Sequence, residues 1–130
     1  MFGEVICVIA CGRDPEPDDD NQLSVMQRDV AESIANGQPL TLFGDNLFVD
    51  LDHSSENLPP GSWMRIGDAV LEVTPAPHTG CDKFRGRFGD NALRFISRQE
   101  LKDRNLRGIY MHVVQGGEVR LGLVVFSAFL

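Results

Sequence analysis

The chain is poor in cysteine and histidine and has no long apolar run, and each shortage excludes a class of protein. Three cysteines in 130 residues are an odd number, which does not fit a disulfide framework. Cys7 and Cys11 have no second cysteine pair, and the three histidines are scattered, so no zinc ligand set is present. No stretch is long enough to span a bilayer. We therefore expect a reducing, cytoplasmic setting and no membrane partner.

Cations are also scarce, and they are unevenly placed. Twelve lysines and arginines stand against nineteen acids, giving a net charge of −7, which argues against nucleic acid as a partner. Residues 75–107 nevertheless hold most of the cations and few of the acids. This distribution fits an anion site and equally fits a solvated helix face, and the sequence leaves both open.

Thirteen glycines and seven prolines indicate many turns, and the length suits a single domain over residues 1–130. Apolar runs predict strands at 2–10, 46–52, 63–66, 69–74, 109–114, 118–121 and 124–130, and 13–22 is an acidic loop. Alternation makes 46–52 a half-buried strand with Phe48 on the polar face, and Gly67 turns 63–66 into 69–74 as a hairpin. Asn36, followed by Gly37, is predicted to end a helix. Capping boxes from Ser24 and Ser97 predict helices over 25–36 and 97–105, and 90–96 is also helical. We expect a mostly β fold with a few short helices, a β-barrel or strongly bent sheet, with helix 25–36 over one open side.

One cysteine has unusual neighbours. Thr79 and Asp82 have capping-box spacing, which would place Cys81 in the first turn of a helix. Free N–H groups there stabilise a thiolate, and the pKa of Cys81 should fall. The cations that follow act in the same direction; they are Lys83, Arg85 and Arg87. The alternative is a small buried hydrophobic residue near a turn.

Nearby residues allow weaker hypotheses. His78 could stabilise the thiolate or shuttle a proton, or simply hydrogen-bond a carbonyl. Arg87 suits an anion, and a structural ion pair is an equal alternative. Asp45 and Asn46 are predicted to make turn hydrogen bonds rather than bind metal.

Several ordered motifs share a further pattern; they are Gly44 to Asp52, Asn57 to Gly61, Ile66 to Thr74, Pro77 to Phe84, Arg87 to Gly89, Leu106 to Tyr110 and Val113 to Gly117. Together, over about residues 22–125, they resemble the MOSC domain, the C-terminal domain of molybdenum cofactor sulfurases, also found in small stand-alone proteins. The resemblance implies a β-barrel and a functional cysteine at position 81.

The resemblance also implies a chemistry. Cys81 would carry sulfur as a persulfide or ligate the metal of the molybdenum cofactor. From its position three residues before Cys81, His78 is the second candidate catalytic residue. The pterin phosphate or persulfide anion would lie among polar and cationic side chains; these are Thr79, Lys83, Arg85 and Arg87. The implied partners are a pyridoxal phosphate-dependent donor of the cysteine desulfurase type and a molybdoenzyme.

The chain departs from the family pattern before Gln22, where members usually have several further strands. A shortened N-terminus suggests an alternative function, a non-catalytic binding or assembly module, in which Cys81 would be buried among Phe84, Phe88 and Leu93. It would also expose a sheet edge, which predicts a symmetric homodimer. If residues 2–9 instead close the barrel within their own chain, we expect a monomer.

Overall fold

The computed structural model describes residues 23–118 in full and two outer strands by their backbone alone. The seven strands are β1 (Phe2–Val8), β2 (Leu23–Gln27), β3 (Leu47–Val49), β4 (Trp63–Ile66), β5 (Ala69–Val73), β6 (Ile109–Gln115) and β7 (Val124–Ala128). The helices are α1 (Arg28–Ala35), α2 (Asp82–Phe88) and α3 (Asp90–Ile96), with 3-10 helices at Leu40–Phe43 and Gln99–Arg104. The acidic segment 13–22, Cys11 and most of the predicted strand 118–121 lie outside the described residues.

The strands form a closed barrel in the order β1-β3-β2-β6-β5-β4-β7. Strands β2 and β3 pair in parallel, and the other neighbours are antiparallel. Gly67, with φ of 58°, turns β4 into β5 as the predicted hairpin. The predicted β-barrel with a few short helices is therefore confirmed.

Strand β1 completes the barrel within its own chain. It pairs with β3 on one side and with β7 on the other. The described strands therefore leave no unpaired edge of the kind from which the homodimer was inferred. The geometry agrees with the alternative for residues 2–9, and the oligomeric state itself stays a prediction.

The barrel interior is filled by aliphatic side chains from alternate positions of the strands. The parallel pair β2 and β3 shows the alternation well, because Val25, Leu47 and Val49 belong to this interior cluster while Met26 and Phe48 do not. Burying one such side chain contributes roughly 1.5–3 kcal/mol. The interior thus supplies a rigid wall for the segments that cross its ends.

A second apolar cluster lies outside the barrel. Met26 and Phe48 pack there against Ala31 of α1, Phe84 of α2, and Phe43 of the first 3-10 helix. The sequence predicted a half-buried strand with Phe48 on the solvent face, whereas Phe48 is fully buried. The helices cover that face, so both sides of β3 are apolar.

Two predicted helix starts are wrong. Ser24 was expected to cap a helix over 25–36, but residues 23–27 form β2 and the helix begins at Arg28. Pairing with β3 and β6 outweighs the local capping preference, and Gln27 Oε1 instead accepts a hydrogen bond from His53 N at 3.2 Å. The 3-10 helix Gln99–Arg104 likewise begins after Arg98, with no cap from Ser97.

Candidate functional site

The segment between β5 and α2 carries the candidate cysteine and is held against α3. A β-carbon at Gly80 would come within 2.5 Å of Leu93 Cδ1 and 2.9 Å of Ile96 Cδ1. Glycine is therefore the residue that lets α3 pack on this segment without displacing it. The close packing fixes the backbone one residue before Cys81.

Cys81 is the N-cap residue of α2. Its backbone is extended, with φ of −137°, and its carbonyl accepts the first helical hydrogen bond from Arg85 N at 3.0 Å. The predicted capping box between Thr79 and Asp82 is wrong. Thr79 is exposed and lies before the N-cap residue, and Asp82 pairs with Arg85. Cys81 thus lies at the helix start, and its side chain is exposed.

The thiol of Cys81 is stabilised as a thiolate. Its side chain makes no conventional capping hydrogen bond, but the backbone N–H groups of Phe84 and Lys83 act on the sulfur and lower its pKa. Burial, which is slight, works in the opposite direction, and the charges of Arg107 and Lys83 lower the pKa further. The lowered pKa of Cys81 agrees with the sequence-based expectation. The first of the charges that lower it is that of Arg107, which the sequence analysis did not identify.

That cation, Arg107, is held in a buried ion pair. Its Nη1 lies 2.7 Å from Asp45 Oδ2, and the side chains are only 12% and 2% exposed. Nη2 donates to the Phe43 carbonyl at 3.2 Å, and Cζ lies 5.6 Å from the centre of the Phe84 ring. These contacts fix the guanidinium beneath the second apolar cluster.

Asp45 is the counterion of this arrangement. Burial raises its pKa, and the charge of Arg107 and its hydrogen bond oppose that rise. The expectation that Asp45 makes turn hydrogen bonds is therefore wrong. Asn46 is also not a turn residue in that sense, because its Oδ1 accepts a hydrogen bond from Ser24 N at 2.9 Å and ties the segment to β2.

His78 is turned inward. Its ring stacks on Tyr110 with centres 4.4 Å apart, and its Nε2 lies 3.9 Å from Asp45 Oδ1. Burial, with the charge of Arg107, lowers its pKa to about 3. The histidine is therefore neutral near physiological pH, which weighs against proton shuttling there, and a catalytic role stays a prediction.

The predicted anion-binding cations are mostly committed elsewhere. Arg87 donates to the Leu42 carbonyl at 2.8 Å, and Arg85 pairs with Asp82 and Asp90. Lys83 is exposed and is the one member of that set whose charge lowers the pKa of Cys81. The charges of Lys83 and Arg107 therefore act on Cys81, and His78 lies beside the Asp45–Arg107 pair. Arg85 and Arg87 are engaged elsewhere, and Thr79 is exposed.

Asp45 and Arg107 carry a signal that sequence reasoning missed. Each is a charged residue inside an apolar motif, between Phe43 and Leu47 in one case and beside Leu106 and Ile109 in the other. Charged residues in such surroundings are buried only when paired. Two opposite charges in two apolar motifs therefore predict a buried pair.

Two searches within the described part of the chain were negative. Residues 23–118 bring no three histidine, cysteine or acidic side chains together in a way that suits a metal ion. None of the described helices is both long enough and apolar enough to cross a membrane.

The sequence matches the family model of the MOSC domain over residues 18–126. No curated protein matches it significantly. Among solved structures, YiiM from Escherichia coli is similar with a TM-score of 0.64 and 20% identity, over 98% of this chain and 70% of that one.

Two further solved structures show the same fold. YuaD from Bacillus subtilis matches with a TM-score of 0.61 and 17% identity, over 82% of this chain and 63% of that one. YiiM from Geobacillus stearothermophilus matches with a TM-score of 0.61 and 16% identity, over 85% of this chain and 55% of that one. The chain therefore spans less than two thirds of these two proteins.

Proposed function

Because the chain belongs to the MOSC domain family, we propose that it is a sulfur carrier whose Cys81 holds a sulfur atom as a persulfide. Family membership supports a function of the molybdenum-cofactor-related or sulfur-carrier type. The observation that carries the finer proposal is the exposed Cys81 at the N-cap of α2, with its lowered pKa. An exposed thiolate is the form of cysteine that attacks a sulfane sulfur.

The loading step is a thiol–persulfide exchange. The Cys81 thiolate attacks the terminal sulfur of a donor persulfide, a new S–S bond forms on Cys81, and the S–S bond of the donor breaks. The donor thiolate leaves with the electron pair of the broken bond, so no external oxidant is needed. The N–H groups of Lys83 and Phe84 and the Arg107 charge favour the anionic sulfur before and after transfer.

The partners follow from this chemistry and from the family. We assign the donor to the pyridoxal phosphate-dependent cysteine desulfurases, which present sulfur as a persulfide, and the acceptor to a molybdoenzyme in the cytoplasm. The homodimer also remains a proposal. Sedimentation at micromolar concentration tests it, because a monodisperse species of 14.4 kDa contradicts it.

The molybdenum cofactor fits the described site only in part. The thiolate of Cys81 is a suitable ligand for a soft metal, and the MOSC domain is associated with this cofactor in the family. A pterin needs an enclosing pocket, however, and a cavity of about 210 Å³ that the described residues form on one side of this segment does not include Cys81. No step is therefore assigned to the cofactor, and a sulfane sulfur suits the described surroundings better.

Mass spectrometry after incubation with a cysteine desulfurase and cysteine tests the proposal. We expect one additional sulfur on Cys81, removable by reductant and absent in Cys81→Ser, because a hydroxyl cannot hold transferable sulfur. The matched control is Cys7→Ser with Cys11→Ser, which should still load. Loading of the Cys81→Ser variant would contradict the assignment, and failure of the parent to load would favour a non-catalytic binding or assembly module.

A further inference from the structure

The segment that contains α2 and α3, residues 82–98, is positively charged within an acidic chain. It contains five cations and two acids, whereas the other residues contain seven cations and seventeen acids. All five cations are exposed; they are Lys83, Arg85, Arg87, Arg94 and Arg98. An acidic partner is therefore attracted to this part of the molecule and repelled by most of the rest.

Both acids of this segment are paired, and three of its cations are not. Arg85 pairs with Asp82 and with Asp90, so the negative charges next to the helices are already neutralised. Three exposed cations make no salt bridge with any residue in 23–118, and they are Lys83, Arg94 and Arg98. Their charges are available to a partner without breaking a contact in this part of the chain.

An aromatic ring is exposed among these charges. Phe95 follows Arg94 in α3 and is 43% exposed, more than any other aromatic side chain in residues 23–118. The second apolar cluster does not include Phe95, and the α3 residues that pack against it are Ala92, Leu93 and Ile96. An exposed aromatic ring beside arginine is typical of the residues that contribute most to protein–protein binding.

This part of α3 lies beside Cys81. A β-carbon at Gly80, the residue before the cysteine, would be only 2.5 Å from Leu93 Cδ1, so the inner side of α3 packs directly on the segment. A helix with its side chains is about 10–12 Å across. One side of a standard protein–protein interface covers about 800 Å², which corresponds to a radius of roughly 16 Å. A single partner can therefore cover both the exposed Cys81 and the outer side of α3.

We infer that the α2–α3 surface, formed by Lys83, Arg94, Phe95 and Arg98, is the docking site for the protein that donates sulfur to Cys81, which presents an acidic surface and an apolar recess for the Phe95 ring. The inference rests on the proposed sulfur-carrier function. Transfer requires the two sulfur atoms to meet, and a surface beside Cys81 that attracts the donor increases the rate of encounter. A nucleic acid suits this surface less well, because its phosphates would also meet the many acids of the rest of the chain.

Two sulfur donors test the inference, because only one of them needs a docking surface. The first is a cysteine desulfurase already carrying its persulfide, and the second is the small molecule cysteine persulfide. Raising sodium chloride from about 0.1 M to about 1 M shortens the Debye length from roughly 10 Å to 3 Å, and should slow loading of Cys81 from the desulfurase about tenfold. Loading from cysteine persulfide should change less than about twofold.

The two arms separate the surface from the chemistry. Equal salt dependence for the two donors overturns the inference and leaves sulfur transfer at Cys81 intact. No loading from either donor contradicts the sulfur-carrier function itself, and the inference with it. Loading is measured by mass spectrometry as one additional sulfur on Cys81, in single turnovers with this protein in excess.

Three variants test the charge and the ring in turn. Arg94→Glu should slow loading from the desulfurase about fivefold, whereas Arg65→Glu, an equal charge change at an exposed position on β4, should not. Phe95→Ala should raise the half-saturating concentration of this protein about tenfold and leave the maximal rate unchanged, because the ring binds the donor without touching the reacting atoms.

The small donor is the control for each variant. With the fold intact by circular dichroism, all three should load from cysteine persulfide at the rate of the parent. Equal slowing in Arg94→Glu and Arg65→Glu, or an unchanged half-saturating concentration in Phe95→Ala, contradicts the assignment of the surface.

Discussion

The two regions that supply positive charge near Cys81 differ in almost every respect. On α2, Lys83, Arg85 and Arg87 are exposed and close to the cysteine in sequence. Arg107 lies two residues before β6, is nearly buried, and is fixed by Asp45 and the Phe43 carbonyl. Of the three α2 cations only Lys83 lowers the pKa of Cys81, and Arg107 precedes it among the charges that do so.

The difference shows that position in sequence is a poor guide to electrostatic effect. An exposed cation is screened by water and salt and is free to pair with exposed acids, as Arg85 does with Asp82. A buried cation acts through a medium of lower polarity, so its field reaches further. The number of nearby cations therefore matters less than the burial of one.

The largest expected effect comes from removing the buried counterion. Asp45→Asn leaves the Arg107 guanidinium buried without its partner and should lower the free energy of unfolding by about 3–5 kcal/mol. Urea unfolding at neutral pH measures this. The matched control is Asp82→Asn, which removes one of the two exposed acids that pair with Arg85 and should cost less than about 1 kcal/mol. Equal losses in the two variants would mean that burial does not separate the two regions.

Acid tests the effect of burial on a different pair of groups, the histidines His53 and His78. Burial lowers the pKa of His53 to about 4 and that of His78 to about 3, whereas both titrate near 6.5 when unfolded. The unfolded chain therefore takes up protons first, and stability falls as pH decreases from 6.5 through those values, by about 1.4 kcal/mol per pH unit for each histidine. His53→Leu should roughly halve this slope in urea titrations, and an unchanged slope contradicts the assignment to buried histidines.

Removing a positive charge from either region should lower the free energy of unfolding by less, and by more in the buried region than on α2. Arg107→Gln should cost about 2 kcal/mol, because Asp45 loses its partner but can take up a proton to relieve its burial. Arg87→Gln loses one exposed hydrogen bond to the Leu42 carbonyl and should cost at most about 1 kcal/mol. Thermal or urea unfolding of the two variants side by side measures the difference, and a reversal of the order would refute it.

Much of the fold could be predicted because its signals are local. The turn at Gly67 and the alternation around it define the β4–β5 hairpin, and Asn36, in a left-handed conformation, ends α1 as expected. Strand β2 was not predicted because Ser24 and Gln27, three residues apart, have the spacing of a capping box. Only the pairing with β3 and β6, which the sequence does not display, decides against the helix.

The site divides in the same way. Cys81 could be predicted because the backbone N–H groups that lower its pKa belong to Lys83 and Phe84, which are close to it in sequence. Asp45 and Arg107 lie on separate segments that only the closed barrel brings together, so their pairing was not predicted. His78 was selected for its closeness in sequence to Cys81, whereas its stacking on Tyr110 and its position beside Asp45 depend on the folded barrel; its catalytic role stays a prediction.

The pH dependence of Cys81 alkylation tests the central claim, that this thiol is a stabilised thiolate supported by the buried Arg107. Each cysteine is labelled with iodoacetamide over a range of pH and located by mass spectrometry. We predict a pKa for Cys81 below the ordinary value of about 8.5, a rise toward that value in Arg107→Gln, and no rise in Arg87→Gln. An ordinary pKa in the parent, or an equal shift in both variants, would contradict the account.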